Sequence, residues 1–269
     1  MSLTTATSAK GAENSFEFLR IEQDGPIATV SMTRAPVNAV NQKMYGEIRD
    51  CFTWADELMP GARVVIFRGE GKHFCAGNDL DEFGTMTLQN SPARMKLVRE
   101  AFSSVYDCPI PTIAAVQGVA AGTGVSLCSL CDVIICGESA RLVTPEVSIG
   151  VMGAARHLAR VVPEHIMRRM YYTAEPVPAA DLVQFGGIDS VVPDAELLDT
   201  ARALAARMAV HSGAALRQAK EVLNQVEFLD VKTGYEIEQR ATARLSGHPD
   251  SLEGRAAVLE KRAPKFADA

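Results

Sequence analysis

Positive charge is in short supply in this chain of 269 residues. Lysine and arginine number 27 against 33 aspartates and glutamates, a formal net charge of −6. A summed field of that sign does not favour nucleic acid or an anionic membrane, although a local basic patch can still hold a phosphate. Residues 1–15 lack an apolar core and any signal-peptide pattern, and read as a flexible tail, which makes the cytoplasm the expected location. Metal-ligand spacing is missing too. Cys128 and Cys131 form a CxxC, but no second pair or nearby histidines complete it, so no metal is expected. The six cysteines, Cys51, Cys75, Cys108, Cys128, Cys131 and Cys136, then read as reduced and mostly buried. Charge is absent from residues 108–131, a stretch long enough to span a bilayer. Pro109, Pro111, Gln117 and three glycines within it favour a buried strand, turn and helix instead. Neither low-complexity linkers nor a fixed-period repeat occurs.

What is present is an alternation of elements. Residues 16–33 read as two strands around Asp24–Gly25, 41–58 as an amphipathic helix, and 62–69 as a strand. Residues 91–107 read as a helix capped by Ser91 with Pro92 in its first turn. An apolar strand at 111–118 leads into a helix reaching about Leu130, and 132–138 reads as a strand. Strands alternating with helices argue for an α/β fold. Beyond Pro145 the pattern turns helical, at 154–162, 164–174, 178–185, 194–211, 213–226, 230–246 and 250–261, with a short strand at 188–193.

The stretch QGVAAGTGVSLCSLCD, residues 117–132, supports three chemistries. Gly118, Gly122 and Gly124 fit the GxxxGxG of short-chain dehydrogenases, but over a hundred residues precede them and no tyrosine has a lysine four residues later. GVSLC is one residue short of a GxSxG elbow with Ser126 as nucleophile, since Cys128 replaces the second glycine. In the third reading, small residues bring a backbone N–H at a helix start close to a ligand oxygen. GKHFCAGNDL, residues 71–80, would do the same at an earlier turn. Two such amides make an oxyanion hole. Cys75 then needs only to be small and apolar, and Asp79 suits a first helical turn.

Three segments, VVIFRGEGKHFCAGNDLDEF, PTIAAVQGVAAGTGVSLCSLCDVIICGESARLVTPEVSIGV and EGRAAVLEKRAPKF, resemble the enoyl-CoA hydratase/isomerase (crotonase) family in order across about residues 16–266. The resemblance implies a stacked ββα superhelical core followed by a C-terminal helical trimerisation region, with boundaries expected at 1–15, 16–200 and 201–269. It implies a homotrimer or dimer of trimers. The substrate it implies is an acyl-CoA thioester, with coenzyme A part of that substrate and no further cofactor. By position, the backbone amides of Asn78 and Thr123 would hold the thioester oxygen, and Glu146 would be the catalytic acid/base. CoA and substrate contacts carry over to Pro36, Val37, Ala76, Asn78, Leu80 and Thr123. Residues 81–102 would line the acyl end.

This chain departs from the family pattern at three places. Hydratases of the family use two glutamates, and the first would fall where Ser126 stands. Thr123 replaces a common glycine. The segment 150–158 is shorter than the usual proline- and glycine-rich loop. The expected activity is enoyl-CoA hydration or isomerisation with one glutamate, with Ser126 as a hydroxyl able to position water. The alternatives are thioester hydrolysis and a catalytically silent acyl-CoA binder. RNA binding, known among relatives, is disfavoured by the acidic balance. Glu146 could instead be a plain helix-start carboxylate, Ser126 a buried packing residue, and Arg156 and His157 packing or subunit-contact residues.

Overall fold

The structure is a computed structural model that describes residues 16–267. The expected tail, residues 1–15, lies outside the described residues. In chain order the elements are β1 (Leu19–Asp24), β2 (Ile27–Met32), α1 (Gln42–Thr53), α2 (Ala55–Leu58), β3 (Val64–Gly69), α3 (Leu80–Phe83) and α4 (Ser91–Tyr106). They continue with β4 (Thr112–Val116), β5 (Val119–Ala121), α5 (Thr123–Ser129), β6 (Val133–Gly137), β7 (Arg141–Val143), α6 (Ala155–Leu158) and α7 (Glu164–Thr173). The rest are β8 (Val177–Pro178), α8 (Ala179–Leu182), β9 (Ser190–Val192), α9 (Leu197–Ala209), α10 (Gly213–Val226), α11 (Val231–Leu245) and α12 (Pro249–Glu260).

The larger sheet runs β1-β2-β3-β4-β6-β9, parallel throughout except for the β1–β2 hairpin. Parallel strands are covered on both faces and so read as continuous apolar runs. Strand β3 shows why: Val65 and Phe67 enter the main core, while Val64 and Ile66 face the opposite way into a second cluster. That second cluster is closed by α9, whose Leu197, Ala201, Ala205 and Ala209 repeat every four residues. A helix with such a stripe lays one face on the sheet, and small alanines let it approach closely. The expected division at residues 200 and 201 falls inside this helix.

A smaller sheet, β5-β7-β8, stands apart. Isolated bridges extend its logic: Cys75 pairs with Ala120, and Val40 with Asn78, both parallel. Four of the six large-sheet strands, β2, β3, β4 and β6, are therefore followed by a short extended segment and then a helix. The successive turns are β2, Val40 and α1; β3, Cys75 and α4; β4, β5 and α5; and β6, β7 and α6. These are the stacked ββα turns that the family resemblance implied, and the helices α10 to α12 follow them.

Several sequence expectations need correction. Strand β5 lies inside the stretch read as turn and helix, so α5 begins only at Thr123, and β7 lies in a stretch to which no element was assigned. Three residues are too few for a period-2 pattern to show. Ser91 is not the cap of α4. Asn90 holds that position, and no side chain caps the amides there. The helix expected at 154–162 is a single turn, Ala155–Leu158.

Candidate active site

Two turns approach each other at the ends of the short extended segments. The first, Ala76 to Asp79, is anchored from below. Cys75 N donates to Val119 O at 3.1 Å, Ala121 N to Cys75 O at 2.9 Å, and Ala76 N to Val37 O at 3.0 Å. Close approach explains the small residues. A Cβ on Gly124 would lie 2.4 Å from Cys75 O, so α5 can start where it does only with glycine there. Cys75 is fully buried, and burial pushes its thiol up to about 12, which leaves no thiolate for nucleophilic work. Asp79 is the cap of α3, accepting from Glu82 N at 2.9 Å and pairing with Arg34 at 2.5 Å. The Glu82 amide first, and Arg34 second, hold its carboxyl below the ordinary value.

The second turn is Ala121 to Thr123, the start of α5. Gly122 N is used by Val143 O at 2.9 Å, and Asp79 N on the first turn by Val40 O at 2.9 Å. Between these satisfied neighbours, the amides of Asn78 and Thr123 have no hydrogen-bond acceptor among the described residues. Thr123, as the first residue of its helix, has no intrahelical partner to donate to. Both residues line one cavity of about 450 Å³.

Glu146 lines the same cavity, in the single 3₁₀ turn Glu146–Ile149 that follows Pro145. Its Oε2 is buried without a partner, and no cation pairs with it among the described residues. Burial raises its pKa above the ordinary value, against a smaller opposing effect of its own backbone N–H. A carboxylate so placed is disposed to accept and return a proton. Gly122 makes room for it: a Cβ there would stand 2.8 Å from Glu146 Oε1, and the residue sits at φ +48°.

Of the residues expected here, Val37, Ala76, Asn78, Leu80, Thr123 and Glu146 line the cavity together. Pro36 and Ser126 do not. Ser126 is 1 % exposed inside α5, where its amide donates to Gly122 O at 3.0 Å. No hydrogen bond joins it to a histidine among the described residues, so an elbow nucleophile finds no base. His157 is also off the cavity wall. Its Nδ1 is buried and unpartnered, its ring meets Phe102 edge-on at 5.2 Å, and burial, then Arg160 and Arg156, lower its pKa. Arg156 stacks over Phe228 at 4.5 Å. No group of three or more metal-ligating side chains occurs among the described residues. A wider hollow of about 730 Å³ lies between the end of α4 and helices α10 and α11; chemistry, not size, singles out the Glu146 cavity.

Sequence reasoning missed Tyr45. It lies on the buried face of α1 with Met44, Ile48 and Phe52, so its spacing is that of core. Its hydroxyl donates to Asn78 Oδ1 at 2.7 Å and lies 2.6 Å from Thr123 Oγ1. Nothing in that spacing sets its hydroxyl apart, since the same face also buries Glu47.

Comparison with known proteins decides the lineage. A family profile described as enoyl-CoA hydratase/isomerase matches residues 22–269. The chain belongs to the enoyl-CoA hydratase/isomerase family. It is an enzyme of this acyl-CoA-binding family, which includes both hydratases and hydrolases. A (7aS)-7a-methyl-1,5-dioxo-2,3,5,6,7,7a-hexahydro-1H-indene-carboxyl-CoA hydrolase of Rhodococcus jostii (strain RHA1) is 39% identical over 89% of this chain and 93% of its own. A probable enoyl-CoA hydratase of Mycobacterium bovis is 31% identical over 93% of this chain and 98% of its own. The crystal structure of an enoyl-CoA hydratase from Bacillus anthracis superimposes with a TM-score of 0.88 at 29% identity, covering 94% of this chain and all of that one. The crotonase fold is thus shared.

Proposed function

We propose that the chain binds an acyl-CoA thioester with its carbonyl oxygen between the amides of Asn78 and Thr123, and that Glu146 moves a proton at the carbon next to the thioester. One observation carries this reading: two amides without acceptors and a buried carboxylate without a partner line the same cavity. Removing a proton from C2 shifts negative charge onto the thioester oxygen. Preorganised N–H donors favour that enolate more than the ground state. Glu146 can then return the proton at another carbon, which is double-bond isomerisation. Hydration asks more, because water must be held and activated together. Ser126, proposed for that task by position, is off the cavity wall. Isomerisation therefore suits a single carboxylate more directly than hydration. Val37, Ala76 and Leu80 supply the rim along which the CoA moiety would lie.

A second reading is hydrolysis, with Glu146 activating water. The similarity to the R. jostii CoA hydrolase favours it. Mass spectrometry of butyryl-CoA incubated in D₂O reads C2 proton exchange and needs no knowledge of the natural acyl group. Exchange that disappears in Glu146→Gln supports the first reading. Release of acid carrying ¹⁸O from labelled water supports the second. Binding of acyl-CoA thioesters across a panel, with neither exchange nor hydrolysis, would mean a silent binder and would sink the catalytic assignment.

Self-association as a trimer or dimer of trimers belongs to the same proposal. Leu223, Phe228, Val231, Tyr235, Leu252 and Leu259, on and between α10, α11 and α12, are large apolar residues at least half exposed in the isolated chain. Sedimentation at micromolar concentration should show the assembly; a monomer alone would rule it out. Catalysis without a metal is also proposed, so chelator should leave C2 exchange unchanged. No described helix is long and apolar enough to cross a membrane, and the cytoplasm is the proposed location.

A further inference from the structure

The geometry points to Tyr45 as a positioning residue that sets the spacing of the two oxyanion donors by tying the side chains of Asn78 and Thr123 to one hydroxyl. The inference rests on the reading of those two amides as the thioester-oxygen site. Its starting point is a separation in sequence. Tyr45 is 33 residues from Asn78 and 78 from Thr123, yet a single oxygen is within 2.7 Å and 2.6 Å of their side-chain oxygens. Tyr45 is 1 % exposed and does not line the cavity, so it acts from beneath the site and does not touch the ligand.

The hydrogen count fixes the direction of the bonds. A phenol has one proton. Tyr45 donates it to Asn78 Oδ1, an acceptor-only oxygen. The short contact to Thr123 must then be completed by the threonine hydroxyl, which donates to Tyr45. Burial holds the phenol protonated far above neutral pH, so this arrangement persists across the working range. The Thr123 hydroxyl is accordingly committed to Tyr45, which leaves the Thr123 amide as the donor that faces the substrate. That also gives a reason for threonine at a position where glycine would supply the same amide.

The tyrosine is itself held. Its amide donates to Asn41 O at 3.0 Å in the capped first turn of α1, and its ring meets Phe102 of α4 edge-on at 6.0 Å. Below the site, the bonds between Cys75 and the strand β5 fix only the base of the two turns. The Tyr45 bridge joins their tips. Two amides on separate turns can act on one oxygen only if both tips stay put, and a shift of about 1 Å in a catalytic group can cost roughly 10²-fold.

Tyr45→Phe keeps the ring and removes the bridge. The test measures C2 exchange of butyryl-CoA in D₂O, its KM, and the infrared carbonyl stretch of bound butyryl-CoA labelled with ¹³C at the thioester carbon. Wild type should show a lowered stretch, the mark of hydrogen bonding to the carbonyl. In Tyr45→Phe the exchange kcat should fall between about 10-fold and about 100-fold, with KM changed little and the lowering of the stretch diminished. Thr123→Val cuts the other arm of the bridge and keeps the amide, so it should give the same pattern even if Tyr45→Phe folds poorly. The double variant should be no worse than the more damaged single one, since both remove one device. Wild-type kcat and an undiminished carbonyl shift in both single variants would overturn the role of Tyr45 and leave the oxyanion reading intact. A wild-type enzyme that binds butyryl-CoA with no carbonyl shift would overturn the oxyanion reading itself, and Tyr45 with it.

Discussion

The turns carrying Asn78 and Thr123 are bonded to each other, whereas the segment 146–154 that lines the same cavity is bonded mostly to itself. The donor side is crossed by the Cys75 ladder below and the Tyr45 bridge above. On the Glu146 side, Ser148 N returns to Pro145 O, Val151 N to Glu146 O and Gly150 N to Val147 O. The Gly153 amide reaches outward, to the Tyr171 hydroxyl at 3.2 Å. Gly150 and Ala154 both adopt left-handed backbone there, and Val147, Ile149 and Met152 are exposed. A segment with few buried contacts opens more easily than one stitched at both ends. The contrast separates two tasks. On the proposed reading, holding a thioester oxygen is the same for every acyl group and tolerates no slack, whereas accommodating the acyl group varies with the substrate and needs some.

The largest effect should come from removing the one group on the pliable side that has chemistry. Glu146→Gln keeps the shape of the side chain and removes the base. General acid–base catalysis contributes typically ~10²–10⁴-fold, and C2 exchange should fall by that much. Affinity for butyryl-CoA, measured by calorimetry, should barely change, because the rigid donor side is untouched. Exchange near the wild-type rate would sink the assignment of Glu146.

Gly122 joins the two sides, and its substitution should come next. A Cβ would stand 2.8 Å from Glu146 Oε1 on a backbone at φ +48°. Gly122→Ala should therefore move the carboxylate and lower exchange by about 10²-fold, while the strained backbone costs on the order of 1–3 kcal/mol of stability. Gly153→Ala is the control, since its Cβ would lie 3.4 Å from the same oxygen and the pliable segment can give way. Equal damage from both would mean that segment 146–154 is as rigid as the donor side.

The same contrast governs what could be read from the sequence. The donor turns were legible because close backbone approach demands small residues, and Gly124 against Cys75 O is the physical trace of that demand. Strand β3 and the helices α10 to α12 were legible from apolar runs and from long helical periods. Strands β5 and β7 were not, being three residues each. Glu146 was reached through the family resemblance, because Pro–Glu at a helix start also suits a plain first turn; its buried, unpartnered Oε2 became visible only in three dimensions. Tyr45 shared its spacing with core residues, and its two partners lie far along the chain, so local pattern held no signal for it.

A smaller effect concerns stability and pH. Burial raises the pKa of Glu146 in the folded chain. A raised carboxyl favours the fold below its unfolded pKa, and that contribution is lost as pH rises through the folded value. Glu146→Gln does not titrate. The Tm of Glu146→Gln relative to wild type should therefore climb as pH rises through that window and level off above it, because the variant escapes the burial of a charge. A Tm difference that is flat with pH, or falls as pH rises, would mean that Glu146 is not desolvated and that the pliable segment leaves it open to water.

Ser126 should matter least, although the family pattern drew attention to it most. It occupies the position of a hydratase's first glutamate, yet it is 1 % exposed within α5 and absent from the cavity wall. Ser126→Ala removes one buried oxygen and leaves the helix and both donor amides in place. If the hydroxyl only packs, the change should be ~0.5 kcal/mol or less, and kcat changes by less than about threefold. If instead the hydroxyl holds the attacking water, a lost bond in a dry site is worth ~1–3 kcal/mol, and kcat on a hydrated or hydrolysed thioester drops roughly tenfold or more. Measuring C2 exchange beside turnover distinguishes the cases, since exchange needs no water held at the substrate. Exchange intact with turnover lost would put Ser126 back at the reacting centre and move the boundary between fixed and pliable sides into α5.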